Sequence, residues 1–125
     1  MEENEISRII VNAAFTVHKR LGSGLLENAY KVCLAYELSK ELNIEVEHSM
    51  RIVYDEVQLD CGYRFDIWVE RKVIIEIKAV KELNDLHLAQ IISYLRLSDC
   101  RLGILINFHV PLIKDGIKRV ANKMY

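Results

Sequence analysis

Three cysteines, Cys33, Cys61 and Cys100, stand far apart in the 125-residue chain. Their number is odd and their spacing lacks the close pairs of a zinc site. Neither a disulfide framework nor a cysteine-based metal centre is therefore expected, and ordinary thiols in a reduced, cytoplasmic setting are the simpler reading. No apolar run approaches the roughly 20 residues that cross a bilayer, so no membrane association is expected. Glu2, Glu3 and Glu5 have the wrong charge for the basic opening of a signal peptide. Charge of one sign is missing too: 17 basic residues face 18 acidic ones. That balance argues against a large, uniformly basic surface, but leaves room for a local basic rim around acids that hold metal. There is no low-complexity tract, linker or internal repeat. What remains is 51% apolar and 28% charged, the mixture of an ordinary folded chain. Residues 1–125 are expected to form one small domain, burying roughly 65% of the extended surface around one core.

Ile6, Ile9, Ile10, Ala13, Ala14, Val17 and Leu21 recur at steps of three and four, which predicts a first helix with one buried face. Leu21-Gly22-Ser23-Gly24 breaks it. A second helix is expected over about 25–42, with Leu26, Tyr30, Leu34, Leu38 and Leu42 at four-residue spacing and Asn43 as its stop. The period then shortens. Residues 44–54 read as a strand, with Val46, His48 and Met50 on one face. Asp55-Glu56 forms a turn, and 57–59 begin the return strand. Two further strands, 63–69 and 73–80, are joined by the polar turn Glu70-Arg71-Lys72. A third helix over 84–98 precedes an apolar strand at 102–108, and beyond Pro111 a short last helix is expected over 112–124. A helix between 73–80 and 102–108 favours parallel pairing there, whereas the short turns favour antiparallel pairing. The order is ααββββαβα, an α/β fold with a mixed central sheet and flanking helices.

Glu76 and Lys78 interrupt an apolar strand and point to the same side of it. Burying either alone is costly, so each needs a partner, a metal or a route to water. A hairpin turning at Arg71 sets Asp66 opposite Glu76. Facing carboxylates repel unless a cation or proton lies between them, and their oxygens suit Mg²⁺ or Mn²⁺ better than zinc. Lys78 is placed to hold a phosphate oxygen or to stabilise charge developing in a transition state. The plainer alternative is a surface ion pair between Glu76 and Lys78, with Asp66 near a turn. Arg64 shares a strand face with Asp66 and is a candidate phosphate contact, or a counter-charge to the local acids. His18, His48, His87 and His109 are scattered, form no metal motif and read as structural or solvated, with His87 near the mouth of the site.

Several segments together resemble the GxxExxY family of the PD-(D/E)xK nuclease-like superfamily. Gly24-Leu25-Leu26-Glu27-Asn28-Ala29-Tyr30 matches the naming motif. Gly62-Tyr63-Arg64-Phe65-Asp66 with Ile75-Glu76-Ile77-Lys78-Ala79 resembles the acidic core, although Phe65 stands where the name has proline. Gln90-Ile91-Ile92-Ser93-Tyr94 resembles the Gln-x-x-x-Tyr element, and Asn107-Phe108 is also similar. The resemblance runs from about residue 6 to residue 108. It implies a restriction-endonuclease-like core, with Asp66 and Glu76 as metal ligands and Lys78 as the catalytic lysine. Glu27 would approach the metal from an early helix, and Gln90 would reach the site from a later one. From the residues alone, Glu27 is equally a helix-start acid, and Tyr30, Gln90 and Tyr94 are core-edge hydrogen-bonding groups.

These readings converge on metal-dependent hydrolysis of a nucleic acid phosphodiester, DNA being favoured, with Glu27, Asp66, Glu76, Lys78 and Gln90 as machinery and Arg64 and Tyr94 as substrate contacts. The alternatives are a noncatalytic scaffold with a nuclease-like fold and a hydrolase of small phosphoesters. A homodimer would enlarge the surface available for gripping a duplex.

Overall fold

Helix α1 (Glu3–Leu21) buries Ile6, Ile10, Ala14 and Val17, the stripe its spacing predicts. Glu3 and Glu5 at its start and His18, Lys19 and Arg20 at its end complement the helix dipole. Gly22 closes it at φ 75°, and its N–H donates to the His18 carbonyl at 2.8 Å. Such a backbone costs glycine nothing. Helix α2 (Glu27–Ser39) packs on α1 through Tyr30, Leu34 and Leu38, and is shorter than expected at both ends. The computed structural model describes residues 1–60 and 62–122; Cys61 and the last three residues of the chain, two of them in the expected final helix, lie outside them.

The strands are β1 (Ile44–Ser49), β2 (Ile52–Tyr54), β3 (Val57–Leu59), β4 (Arg64–Val69), β5 (Val73–Lys78), β6 (Leu102–Asn107) and β7 (Ile117–Ala121), with helix α3 (Asp85–Ser98) between β5 and β6. The main sheet has the order β1-β4-β5-β6-β7. β5 and β6 run parallel, as a helical crossover requires, and the other pairs are antiparallel. Helices α1 and α2 cover one face over Ile67, Val69, Val73, Ile75, Ile77, Ile104 and Ile106. Helix α3 covers the other over Phe65, Trp68, Ile74 and Leu105. It can approach closely because Gly103 lies beneath it: a β-carbon there would stand 2.8 Å from Ile91 Cδ1.

Two expectations are corrected. The strand expected over 44–54 breaks at Met50-Arg51, so β1 joins the main sheet beside β4 while β2 and β3 form a separate hairpin. The final helix expected over 112–124 is absent from the described residues. A 3₁₀ turn (Ile113–Gly116) leads instead into β7, which adds to the sheet edge with Val120 paired to Gly103. Ile113, Ile117 and Val120 carry a helical spacing, but a mid-helix Gly116 is unfavourable by about 1 kcal/mol, and an open edge on β6 gives the segment backbone partners.

Tyr30 ties the start of α2 to the rest of the fold. Its hydroxyl donates to the Gly22 carbonyl at 2.7 Å and accepts the Leu25 N–H at 3.0 Å, while its ring stacks on Phe108 at 4.5 Å. Asn107, also buried, accepts the Val80 and His109 N–H groups on Oδ1 and donates to the Val80 carbonyl. Tyr30 and Asn107 thus fasten loops. Replacing Tyr30 by Phe should lower stability by about 1–2 kcal/mol, read as a shifted urea midpoint with unchanged slope. An unchanged midpoint would show that the hydroxyl ties nothing.

Candidate active site

The β4–β5 ladder pairs Val69 with Val73, Trp68 with Ile74 and Ile67 with Ile75, and its regular pairing stops there. The next positions in that register are Asp66 and Glu76, opposite one another as the hairpin predicts. Side chains bridge the strands at this point. The Asp66 N–H donates to Glu76 Oε2 at 2.8 Å, and the Ile77 N–H donates to Asp66 Oδ2 at 2.8 Å. Each carboxylate is thereby held by the backbone of the opposite strand.

The β1–β4 pairing is interrupted at the same level. Val46 pairs with Ile67 and His48 with Phe65 in one register, which sets Glu47 opposite Asp66. Glu47 has φ 53°, a left-handed conformation that is uncommon for a residue with a side chain. The faces invert across this point: Ile67 and Val69 belong to the α1/α2 core, whereas Phe65 packs with Trp68 and Tyr94 on the α3 side. Strict alternation would have put Phe65 with Ile67 and Val69.

Glu76 is only 4% exposed. Burial, and then the neighbouring Asp66, push its carboxyl up to about 8. Burial also raises Asp66, opposed in part by the Ile77 N–H and by the Lys31 and Lys78 cations. Glu27, half-buried at the first turn of α2, is raised by burial and by Asp66, while Lys78, Lys31 and His87 counter this. Among the described residues the Glu27 side chain has no hydrogen-bond partner. Asp66, Glu76, Glu27 and Lys78 are thus electrostatic neighbours. Among the described residues no ion pair joins Glu76 to Lys78 within 4 Å, so the surface ion-pair alternative does not describe this strand.

Lys31 and Glu47 join this group, and the sequence reading missed both. Lys31 Nζ lies 2.8 Å from Glu47 Oε1 and 3.9 Å from Asp66 Oδ1, with its side chain 12% exposed. Partial burial works against the ammonium, but the hydrogen bond to Glu47 and the charge of Asp66 outweigh it and hold its proton more tightly than in an ordinary lysine. The same bond holds Glu47 below the usual carboxylate range. The legible signal for Lys31 was its position four residues after Glu27, on the same helix face. Nothing in the local sequence marked the backbone inversion at Glu47.

Gln90 and Tyr94 share one face of α3 and line a cleft of about 430 Å³. Burial, followed by the nearby Glu76 and Asp66 carboxylates, pushes the Tyr94 hydroxyl up to about 12. Gln90 has no hydrogen-bond partner among the described residues. Arg64 is exposed near Glu47. His87 closes a capping box with Asn84 at the start of α3. His18 and His109 bond the Val110 and Ser23 carbonyls, and His48 packs on Trp68; these are structural roles.

No group of three His, Cys, Asp or Glu side chains is gathered into a ready cation site among the described residues. Asp66 and Glu76 nevertheless suit a hard divalent ion. Each spends one oxygen on a backbone N–H and keeps another for a ligand, and burial raises the proton affinity of both, with the Asp66 charge adding to it at Glu76.

An α/β fold with a mixed sheet and an acid pair beside a lysine, Glu76 buried and Asp66 partly so, is the architecture of a restriction-endonuclease-like protein. The model of the PD-(D/E)XK nuclease superfamily matches residues 4–120, and the chain belongs to that superfamily. Its nucleases hydrolyse phosphodiesters and are generally dependent on a divalent metal. No curated protein and no solved structure matches the chain. No described helix is long and apolar enough to cross a membrane.

Two measurements probe the acid pair without any substrate. A folded-state carboxyl at about 8, raised above its ordinary value, stabilises most when protonated. That contribution is complete below about pH 4.5 and is lost as pH rises through about 8. The metal-free protein should therefore lose stability over that window, and Glu76→Gln should remove most of the slope and be the more stable protein at pH 9. Parallel pH profiles for the two proteins would refute the repulsive pair. Lys31→Met removes a positive charge beside Asp66 and should tighten Mg²⁺ binding severalfold in calorimetry. Weaker binding would show that Lys31 instead holds Asp66 in position.

Proposed function

We propose that this protein is a Mg²⁺- or Mn²⁺-dependent nuclease of the GxxExxY kind, acting on DNA in preference to RNA. The carrying observation is the break in the β4–β5 ladder, where a buried Glu76 and a partly buried Asp66 are clamped by opposite strands beside Lys78. Asp66 and Glu76 are the residues that would hold the ion, with Glu27 completing the set from α2. Such an ion, when held, activates water and offsets charge on the phosphate oxygens. Lys78 donates to a nonbridging oxygen, and its charge grows in worth as the transition state becomes more anionic. Glu27, whose proton affinity is raised, is suited to hold the attacking water and draw its proton. Gln90 orients that water or the phosphate through its amide. Arg64 and the Tyr94 hydroxyl, which remains protonated at neutral pH, supply donors to the phosphate backbone. A homodimer would extend the short surface of one chain along a duplex.

The test separates binding from chemistry. Lys78→Ala should lose roughly a hundredfold in cleavage rate, about 3 kcal/mol of transition-state stabilisation, while keeping most of its Mg²⁺ binding. Asp66→Ala should lose both. The assay uses single-stranded, duplex, flapped and branched DNA and RNA, with Mg²⁺ or Mn²⁺ and with EDTA as the control. Equal cleavage by wild type and Lys78→Ala would show that the activity arises elsewhere. Absence of both cleavage and metal binding would leave the noncatalytic scaffold as the reading.

A further inference from the structure

The cleft between the β1–β2 bend and helix α3 differs in character from the acid pair beside it. Its walls are Met50, Ile52, Tyr63, Leu86 and Tyr94, with Gln90 offering an amide. None of its lining residues is charged. Tyr63 is 45% exposed and Leu86 75% exposed, which places open apolar surface next to a polar site. The Tyr63 and Tyr94 rings meet edge to face, with centroids 6.4 Å apart and planes at 67°. This arrangement leaves ring area of Tyr63 open while Tyr94 is braced by Phe65 at 5.5 Å. The Met50 N–H donates to the Tyr63 carbonyl at 2.9 Å, which joins the two walls on the sheet side.

We propose that this cleft seats an unpaired nucleobase, so that the preferred substrate is a single-stranded or frayed nucleic acid strand whose adjoining phosphate lies at the acid pair. The inference rests on the nuclease reading and deepens it. A duplex presents phosphates and groove edges, whereas an uncharged pocket with an open aromatic face matches a base removed from its stack. Gln90 can donate to and accept from a base edge. Tyr94 is common to both places: its ring lines the cleft, and its hydroxyl lies within the influence of Glu76 and Asp66. The flanking charge also fits. Exposed Arg51, Arg64 and Arg96 are chain neighbours of the lining residues Met50, Tyr63 and Leu97, with Asp85 beside Leu86 and the acid pair on the Tyr94 side.

Binding in EDTA isolates the cleft from catalysis. Fluorescence anisotropy with short labelled oligo-dT, oligo-U and a duplex of the same length should show tighter binding of the single strands. Tyr63→Ala should weaken single-strand binding by about tenfold, the usual worth of one stacked base, and leave duplex binding unchanged. Tyr63→Phe should restore it. Tyr63 is half exposed, and circular dichroism checks that the variants remain folded. Equal single-strand affinity in Tyr63→Ala and wild type overturns the proposal. So does a preference for duplex, or a self-association of the chain that Tyr63→Ala abolishes. Cleavage that is indifferent to Tyr63 sinks the cleft but leaves the nuclease. Tyr63-dependent binding without cleavage under Mg²⁺ supports the cleft and sinks the hydrolysis, and the absence of both binding and cleavage overturns the two together.

Discussion

The structure turns on a reciprocal exchange at the end of one hairpin. Two strands that would otherwise continue their backbone ladder bond through each other's carboxylates, Asp66 taking the Ile77 N–H and Glu76 taking the Asp66 N–H. A carboxyl oxygen accepts each backbone N–H in place of the carbonyl it would have met, so the ladder can end without leaving these N–H groups unpaired. The cost is that two acids lie side by side in a place with little water. That cost is relieved by a proton or a cation and by little else. The same bonds fix the orientation of both carboxyl groups.

The surrounding elements hold that pair in place. Helix α2 must begin where Glu27 can reach toward Asp66, and the Tyr30 hydroxyl sets that start by gripping both sides of the preceding loop. The stack of Tyr30 on Phe108 carries this position to the far end of β6. There Asn107 holds the chain that leaves β5 just after Lys78. The motif residues therefore fall into two groups. Glu27, Asp66, Glu76 and Lys78 converge, while Tyr30, Asn107 and Phe108 position the segments that carry them. Lys31 supplies a resident positive charge at the rim, shared between Glu47 and Asp66. It tempers the repulsion without entering the space between the acids.

Much of this was legible in the sequence, and the parts that were not share a cause. Local periodicity located the three helices and the strands of the hairpin, because their burial patterns repeat within a few residues. The short Glu70-Arg71-Lys72 turn was enough to set Asp66 against Glu76. The helix between 73–80 and 102–108 was enough to make those strands parallel. Ile113, Ile117 and Val120 misled, since their spacing satisfies a helix while the unpaired edge of β6 offers a sheet. Long-range backbone demand decided that contest. The break at Met50-Arg51, the partnership of Lys31 with Glu47 and the flip of faces at Phe65 likewise depend on which strand lies beside which. No window of ten residues contains that information.

The left-handed residue in β1 also bears on how the molecule behaves among its own copies. β1 is an outer strand of the five-stranded sheet, and an outer strand exposes a row of unpaired amides on which a second chain can build. Glu47, with φ 53°, interrupts that row midway and turns its two halves to different faces. An incoming strand would meet an unbroken run of only two or three residues on either side of this kink. The distortion that brings Glu47 opposite Asp66 thus also guards the sheet against growing by one more strand at this edge.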